Sequence, residues 1–83
     1  MAQTRELVVE RIRKSYLRVR QGRANPAAVT EGADLRTDLG MDSLDLLEVR
    51  LEIGAEYGIE IDDEQALGLA TVGDVVDLIV GRG

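Results

Sequence analysis

The chain has 83 residues and a net charge of −6, and with no Phe or Trp and only two Tyr its core must be aliphatic. It has neither cysteine nor histidine, which excludes disulfides, thiolate or imidazole metal sites, and Ser-His or Cys-His nucleophile pairs. A Ser-Lys pair would rest on Lys14, the one lysine, and nothing else in the sequence supports hydrolysis.

The length predicts a single domain over residues 1–83, small enough to be only marginally stable. No run approaches a membrane span, and the polar start Met1-Ala2-Gln3-Thr4-Arg5-Glu6 does not read as a signal peptide. A cytoplasmic monomer, away from membranes, is the expectation. Nine arginines to one lysine, with abundant Gly, Ala and Val, are the composition of a GC-rich bacterial gene. Charge is asymmetric: residues 1–30 carry +5 and residues 31–83 carry −11. An acidic surface favours basic protein partners over nucleic acid, and the basic first segment lacks an aromatic-interleaved patch.

A first helix is predicted from about Thr4 to Arg20, with Val8, Val9, Ile12, Tyr16 and Val19 on one face. Thr4 suits its N-cap and Gly22 its end; Leu7 and Leu17 fall off the stripe. Residues 21–42 form a long connection broken by Asn25-Pro26, Gly32 and Gly40. So long a loop must be pinned, and Val29, Leu35 and Leu39 are its apolar pegs.

A second helix is predicted from about Leu44 to Tyr57, with Ser43 in the N-cap position before it. Asp45, Glu48, Glu52 and Glu56 share one narrow face, and Leu46, Val49, Ile53 and Tyr57 form the opposite, inward stripe. Leu44, Leu47 and Leu51 flank the acids. Glu48–Glu52 and Glu52–Glu56 are like-charge pairs at i, i+4, which weaken an isolated helix. Read alone, the stripe is a solvated face. Asp62 with Gln65 caps a short third helix at Asp63–Leu67. Thr71 with Asp74 caps a fourth over Val72–Val80, where helix-start signals outweigh the strand preference of its β-branched residues. The outcome is an all-α, small four-helix bundle with a long loop between helices one and two. No EF-hand is present: the residues spaced for one before Gly32, Gly40 and Gly68 lack its acids.

Asp38-Leu39-Gly40, Asp42-Ser43-Leu44 and Glu48 together resemble the signature of acyl carrier proteins. The likeness continues through Glu60-Ile61-Asp62-Asp63-Glu64 and Thr71-Val72-Gly73-Asp74, and covers about residues 33 to 80 closely. In that family the serine after the aspartate carries a 4′-phosphopantetheine arm. The resemblance therefore implies attachment at Ser43, with a separate phosphopantetheinyl transferase supplying base, metal and coenzyme A. A helix start is a natural seat for the arm's phosphodiester anion. The thiol arrives with the arm, which explains acyl chemistry in a non-catalytic chain lacking cysteine. Beside such a serine the acidic stripe reads as a docking surface for basic patches on acyltransferases, ketosynthases or other acyl-processing enzymes. Asp42, Asp45 and Glu48 form its centre, with Met41, Leu44 and Leu47 as apolar contacts.

The implied function is transport of fatty-acid or polyketide intermediates as thioesters. An aminoacyl or peptidyl carrier of a nonribosomal pathway and an unmodified helical interaction module are the other readings. Departures from the family pattern are Gly54 and Ala55 in place of acids, Asp62 in place of a frequent proline, and Arg50 in place of an apolar residue. Arg50 is expected to pack its stem on the bundle with its head at the rim, paired with Asp74 or Asp77, narrowing the space between helices two and four.

Overall fold

The computed structural model describes residues 4–81. Four helices follow one another: α1 (Arg5–Arg20), α2 (Ser43–Tyr57), α3 (Asp63–Leu67) and α4 (Val72–Val80). No strand occurs among the described residues, so the Val-rich last segment is helical as its capping signals require. Thr4 caps α1 by accepting the Leu7 N–H. Reciprocal capping boxes open α3 (Asp62 with Gln65) and α4 (Thr71 with Asp74). Burial raises and hydrogen bonding lowers the Asp74 carboxyl; the bonds from the Ala70 and Thr71 N–H groups win, and it lies below the usual carboxylate range.

α1 packs against both α2 and α4. Val8, Ile12 and Tyr16 of α1 are buried with Val49 and Ile53 of α2 and Val72, Val75, Val76 and Ile79 of α4. Val9, Val19, Leu46 and Tyr57 pack at the margin of this core. Leu7 and Leu17 are exposed, as their place off the stripe predicts. The expected end of α1 is corrected by one residue. Gln21, not Gly22, takes the positive φ (51°), and its N–H reaches back to the Leu17 carbonyl.

The long connection is held from both sides. Val29, Leu35 and Leu39 are buried as pegs, joined by Ala33 and Met41. Tyr16 Oη accepts the Asn25 N–H at 2.9 Å, and Arg13 donates to the Pro26 and Val29 carbonyls. An isolated antiparallel bridge pairs Asp34 with Thr71: the Leu35 N–H reaches the Ala70 carbonyl and the Val72 N–H reaches the Ala33 carbonyl. The Gly73 N–H meets the Glu31 carbonyl at 2.7 Å. A Cβ on Gly73 would lie 2.9 Å from that oxygen, so this approach requires glycine. The loop is thereby fastened to the start of α4, and its last residues deliver Ser43 to the start of α2.

Candidate functional site

The approach to α2 is built by the loop's own carboxylates. Asp34 Oδ1 accepts the N–H groups of Arg36 and Thr37, and Asp38 Oδ2 accepts the N–H of Asp34. These backbone hydrogen bonds hold the Asp34 carboxyl below its ordinary value. Gly40 then turns the chain with φ 68°. A Cβ there would lie 3.6 Å from the Arg20 guanidinium, which reaches over this turn from the end of α1.

Asp42, not Ser43, is the N-cap. Its carboxylate accepts the Asp45 N–H at 2.9 Å, and Asp45 Oδ2 accepts the Asp42 N–H at 3.3 Å. A carboxylate at this position satisfies an orphan helix N–H and complements the positive helix end. Ser43 is the first residue of the helix, its hydroxyl is exposed, and it takes no part in the capping box. The correction matters chemically, because a capping hydroxyl would be engaged and this one is free. The Asp42 carboxylate and carbonyl take the Asp45 and Leu46 N–H groups, while those of Ser43 and Leu44 have no protein acceptor among the described residues. A free hydroxyl beside two open helix-start amides fits attachment of an anionic phosphodiester.

Asp45 does two tasks. Besides closing the capping box it accepts Arg20 Nη1 at 2.8 Å, both side chains being largely buried. Burial pushes the Asp45 carboxyl up, but the Arg20 hydrogen bond, the Asp42 N–H and the charges of Arg20 and Arg23 outweigh it. The carboxyl therefore lies below the usual range.

The remaining acidic stripe is divided in the same way. Glu52 accepts the hydroxyl of buried Ser15 at 3.0 Å and faces Arg18, and Glu56 faces Arg11. The solvated stripe expected for Asp45, Glu52 and Glu56 is thus a seam between α1 and α2. A signal existed in Arg11, Ser15 and Arg18, which recur at helical spacing along α1 and match the acids of α2. Asp42 and Glu48 remain exposed and in no ion pair among the described residues. Leu44 and Leu47 are exposed beside them. Met41 is not a surface contact: it is 2 % exposed and belongs to the core.

On the other side of Ser43 a cavity of about 440 Å³ opens between α2 and α3. Its walls are Ser43, Leu46, Leu47, Val49, Arg50 and Ile53 of α2 and Ile61, Asp63, Ala66, Leu67 and Leu69 opposite, closed by Ile12 of α1, Leu35 and Arg36 of the loop and Val75 of α4. Arg50 pairs with Asp63 of α3 at 2.9 Å, not with Asp74 or Asp77 as expected. Asp74 is committed to capping α4 and Asp77 to Arg5.

A family model described as a phosphopantetheine attachment site matches residues 19–79. The chain is also similar to the acyl carrier protein from Enterococcus faecalis, whose solved structure shares 34 % identity and superposes with a TM-score of 0.69. That match covers 98 % of this chain and 100 % of the other. The chain belongs to the acyl carrier protein family. As a carrier protein it is a phosphopantetheine attachment domain, and its helical fold is the family's. No described helix of the carrier is long and apolar enough to cross a membrane, and no described cluster of acidic side chains forms a metal site.

Proposed function

We propose that this carrier protein transports acyl intermediates of fatty-acid or polyketide biosynthesis, with the arm attached at Ser43. The observation that carries the assignment is the free, exposed Ser43 hydroxyl at the first residue of α2, released from capping by Asp42 and lining the cavity. The only other serine, Ser15, is buried and donates to Glu52. The arm supplies the thiol on which an acyl group is held as a thioester. The chain's own residues present the hydroxyl, keep the helix start open to an anion and offer the arm an apolar space. They include no histidine or cysteine to catalyse a reaction themselves.

Carrier proteins meet a phosphopantetheinyl transferase and acyl-processing enzymes. For these partners we assign the exposed face formed by Asp42, Leu44, Leu47 and Glu48. Its acids steer encounter with basic patches, and its leucines give apolar contact. Asp45 contributes through Arg20 by shaping the helix start more than by meeting a partner directly.

The test is incubation with coenzyme A and a phosphopantetheinyl transferase, followed by thiol titration. The unmodified chain has no cysteine, so one thiol per chain is expected after loading and none in Ser43→Ala. A thiol gained by Ser43→Ala contradicts the assignment. Transfer of malonyl rather than aminoacyl groups onto the loaded thiol is the further expectation, and loading with aminoacyl groups alone would move the chain to a nonribosomal pathway.

A further inference from the structure

The cavity beside Ser43 has a neighbour. A second groove, of about 780 Å³, runs along the far end of α2 and is lined there by Leu51, Gly54 and Ala55, with Ile59 beyond the helix. Three residues, Arg50, Ile61 and Asp63, line both spaces. Arg50 Nη2 of α2 donates to Asp63 Oδ1 of α3 at 2.9 Å, so an ion pair joins the two helices where the spaces meet. Arg50 follows Ser43 by seven residues, roughly 10 Å along the helix axis, and Leu51, Gly54 and Ala55 come after it. The pair therefore stands between the serine end of the cavity and the groove. A methylene chain passing from one to the other must lie against two charges or part them. Parting them is easy, because Asp63 is 95 % exposed and exposed pairs hold by a factor of about five at most. Beyond the pair, Gly54 and Ala55 put no long side chain in the way.

We propose that the Arg50–Asp63 pair is a partition that sets the length of acyl chain this carrier encloses. A chain that ends short of the pair is held in the cavity. A longer chain is kept from the groove while the pair is closed, and the part of it that does not fit stays in water. This rests on the reading of Ser43 as the attachment site, since it is the arm that brings the chain to the cavity. The partition acts by bulk and charge and involves no covalent step.

The test loads the wild-type protein, Arg50→Ala and Asp63→Asn with butanoyl, octanoyl and tetradecanoyl groups, using the matching coenzyme A thioesters and a transferase. Intact mass and the Ser43→Ala control establish loading first. Failure to load at Ser43 overturns the attachment reading together with this one. With loading normal, each thioester's lifetime on the protein is divided by its lifetime on free pantetheine. Wild-type protection is expected to peak at octanoyl and to fall for tetradecanoyl. Asp63→Asn frees the arginine and should raise tetradecanoyl protection by up to about fivefold. Arg50→Ala removes bulk and charge together and should raise it at least as much, moving the peak to the longest chain. The methyl resonances of Leu51 and Ile59, which line the groove, should shift with tetradecanoyl in Arg50→Ala and stay in place in the wild type. A loss of stability alone would lower protection of every chain alike. A wild-type profile without a peak below tetradecanoyl, a profile of the same shape in all three proteins, or groove resonances that respond alike in wild type and Arg50→Ala overturns the inference while leaving attachment intact. Should Arg50→Ala fail to fold by circular dichroism, Asp63→Asn decides by the same two readouts.

Discussion

The two acidic edges of α2 are made of the same residue types and have opposite fates. Toward α1, Asp45, Glu52 and Glu56 each face an arginine, and Asp45 and Glu52 are withdrawn from solvent. Toward solvent, Glu48 and the capping Asp42 are exposed and in no ion pair among the described residues, beside exposed Leu44 and Leu47. What separates them is the neighbour. An acid within reach of the basic helix joins the bundle, whereas an acid rotated away from it is left for other molecules. Net charge cannot make this distinction, because it sums both edges.

The comparison breaks most sharply at the seam. Arg20→Met should leave Asp45 largely buried without its guanidinium, costing about 1–3 kcal/mol in urea unfolding. A change below the error of the method would mean that the pair holds nothing together. An acid titration sharpens the same point. The folded Asp45 carboxyl lies below its unfolded value, so its contribution is complete above the ordinary carboxylate pKa of about 3.9. That contribution fades as pH falls through the lower, folded value. Wild-type and Arg20→Met stabilities should therefore converge at acid pH, and a gap that widened on acidification would contradict the sign.

A smaller effect is expected at Ser15. Ser15→Ala removes a buried hydroxyl from Glu52 and should cost about 0.5–1.5 kcal/mol, with loading at Ser43 unchanged. Loss of loading in that variant would connect the seam to the site in a way the geometry does not. The smallest stability effect belongs to the free edge. Glu48→Lys should alter stability by no more than about 0.5 kcal/mol, because nothing in the bundle depends on the carboxylate. Acyl transfer by a cognate enzyme should nevertheless slow and lose salt dependence. Unchanged transfer across a salt series removes the docking assignment.

Most of the fold was legible because it is written in local patterns. Capping pairs three residues apart marked the starts of α3 and α4, and periodic aliphatics marked the inward faces of α1 and α2. The loop pegs Val29, Leu35 and Leu39 were legible as large aliphatic side chains in a connection too long to be left unpinned. What escaped depends on contacts between distant segments. The arginines of α1 could be seen, but their facing α2 is a property of packing. Met41 reads as a surface residue beside Asp42 until the turn at Gly40 directs it inward. Arg50 pairs with Asp63 of α3, while Asp74 caps α4 and Asp77 meets Arg5, a division set by packing between distant segments. The Ser43 motif was legible as a motif, while the freedom of its hydroxyl was not. Serine and aspartate are both good caps, and only the backbone shows that Asp42 holds the position.

That freedom is the centre of the account, and one digest tests it. After incubation with coenzyme A and a transferase, trypsin should cut at Arg36 and Arg50 and release residues 37–50, whose one serine is Ser43. The account predicts that this peptide carries the phosphopantetheine mass and that fragmentation places it on Ser43. The modification on any other peptide, or on Thr37 of this one, would contradict it.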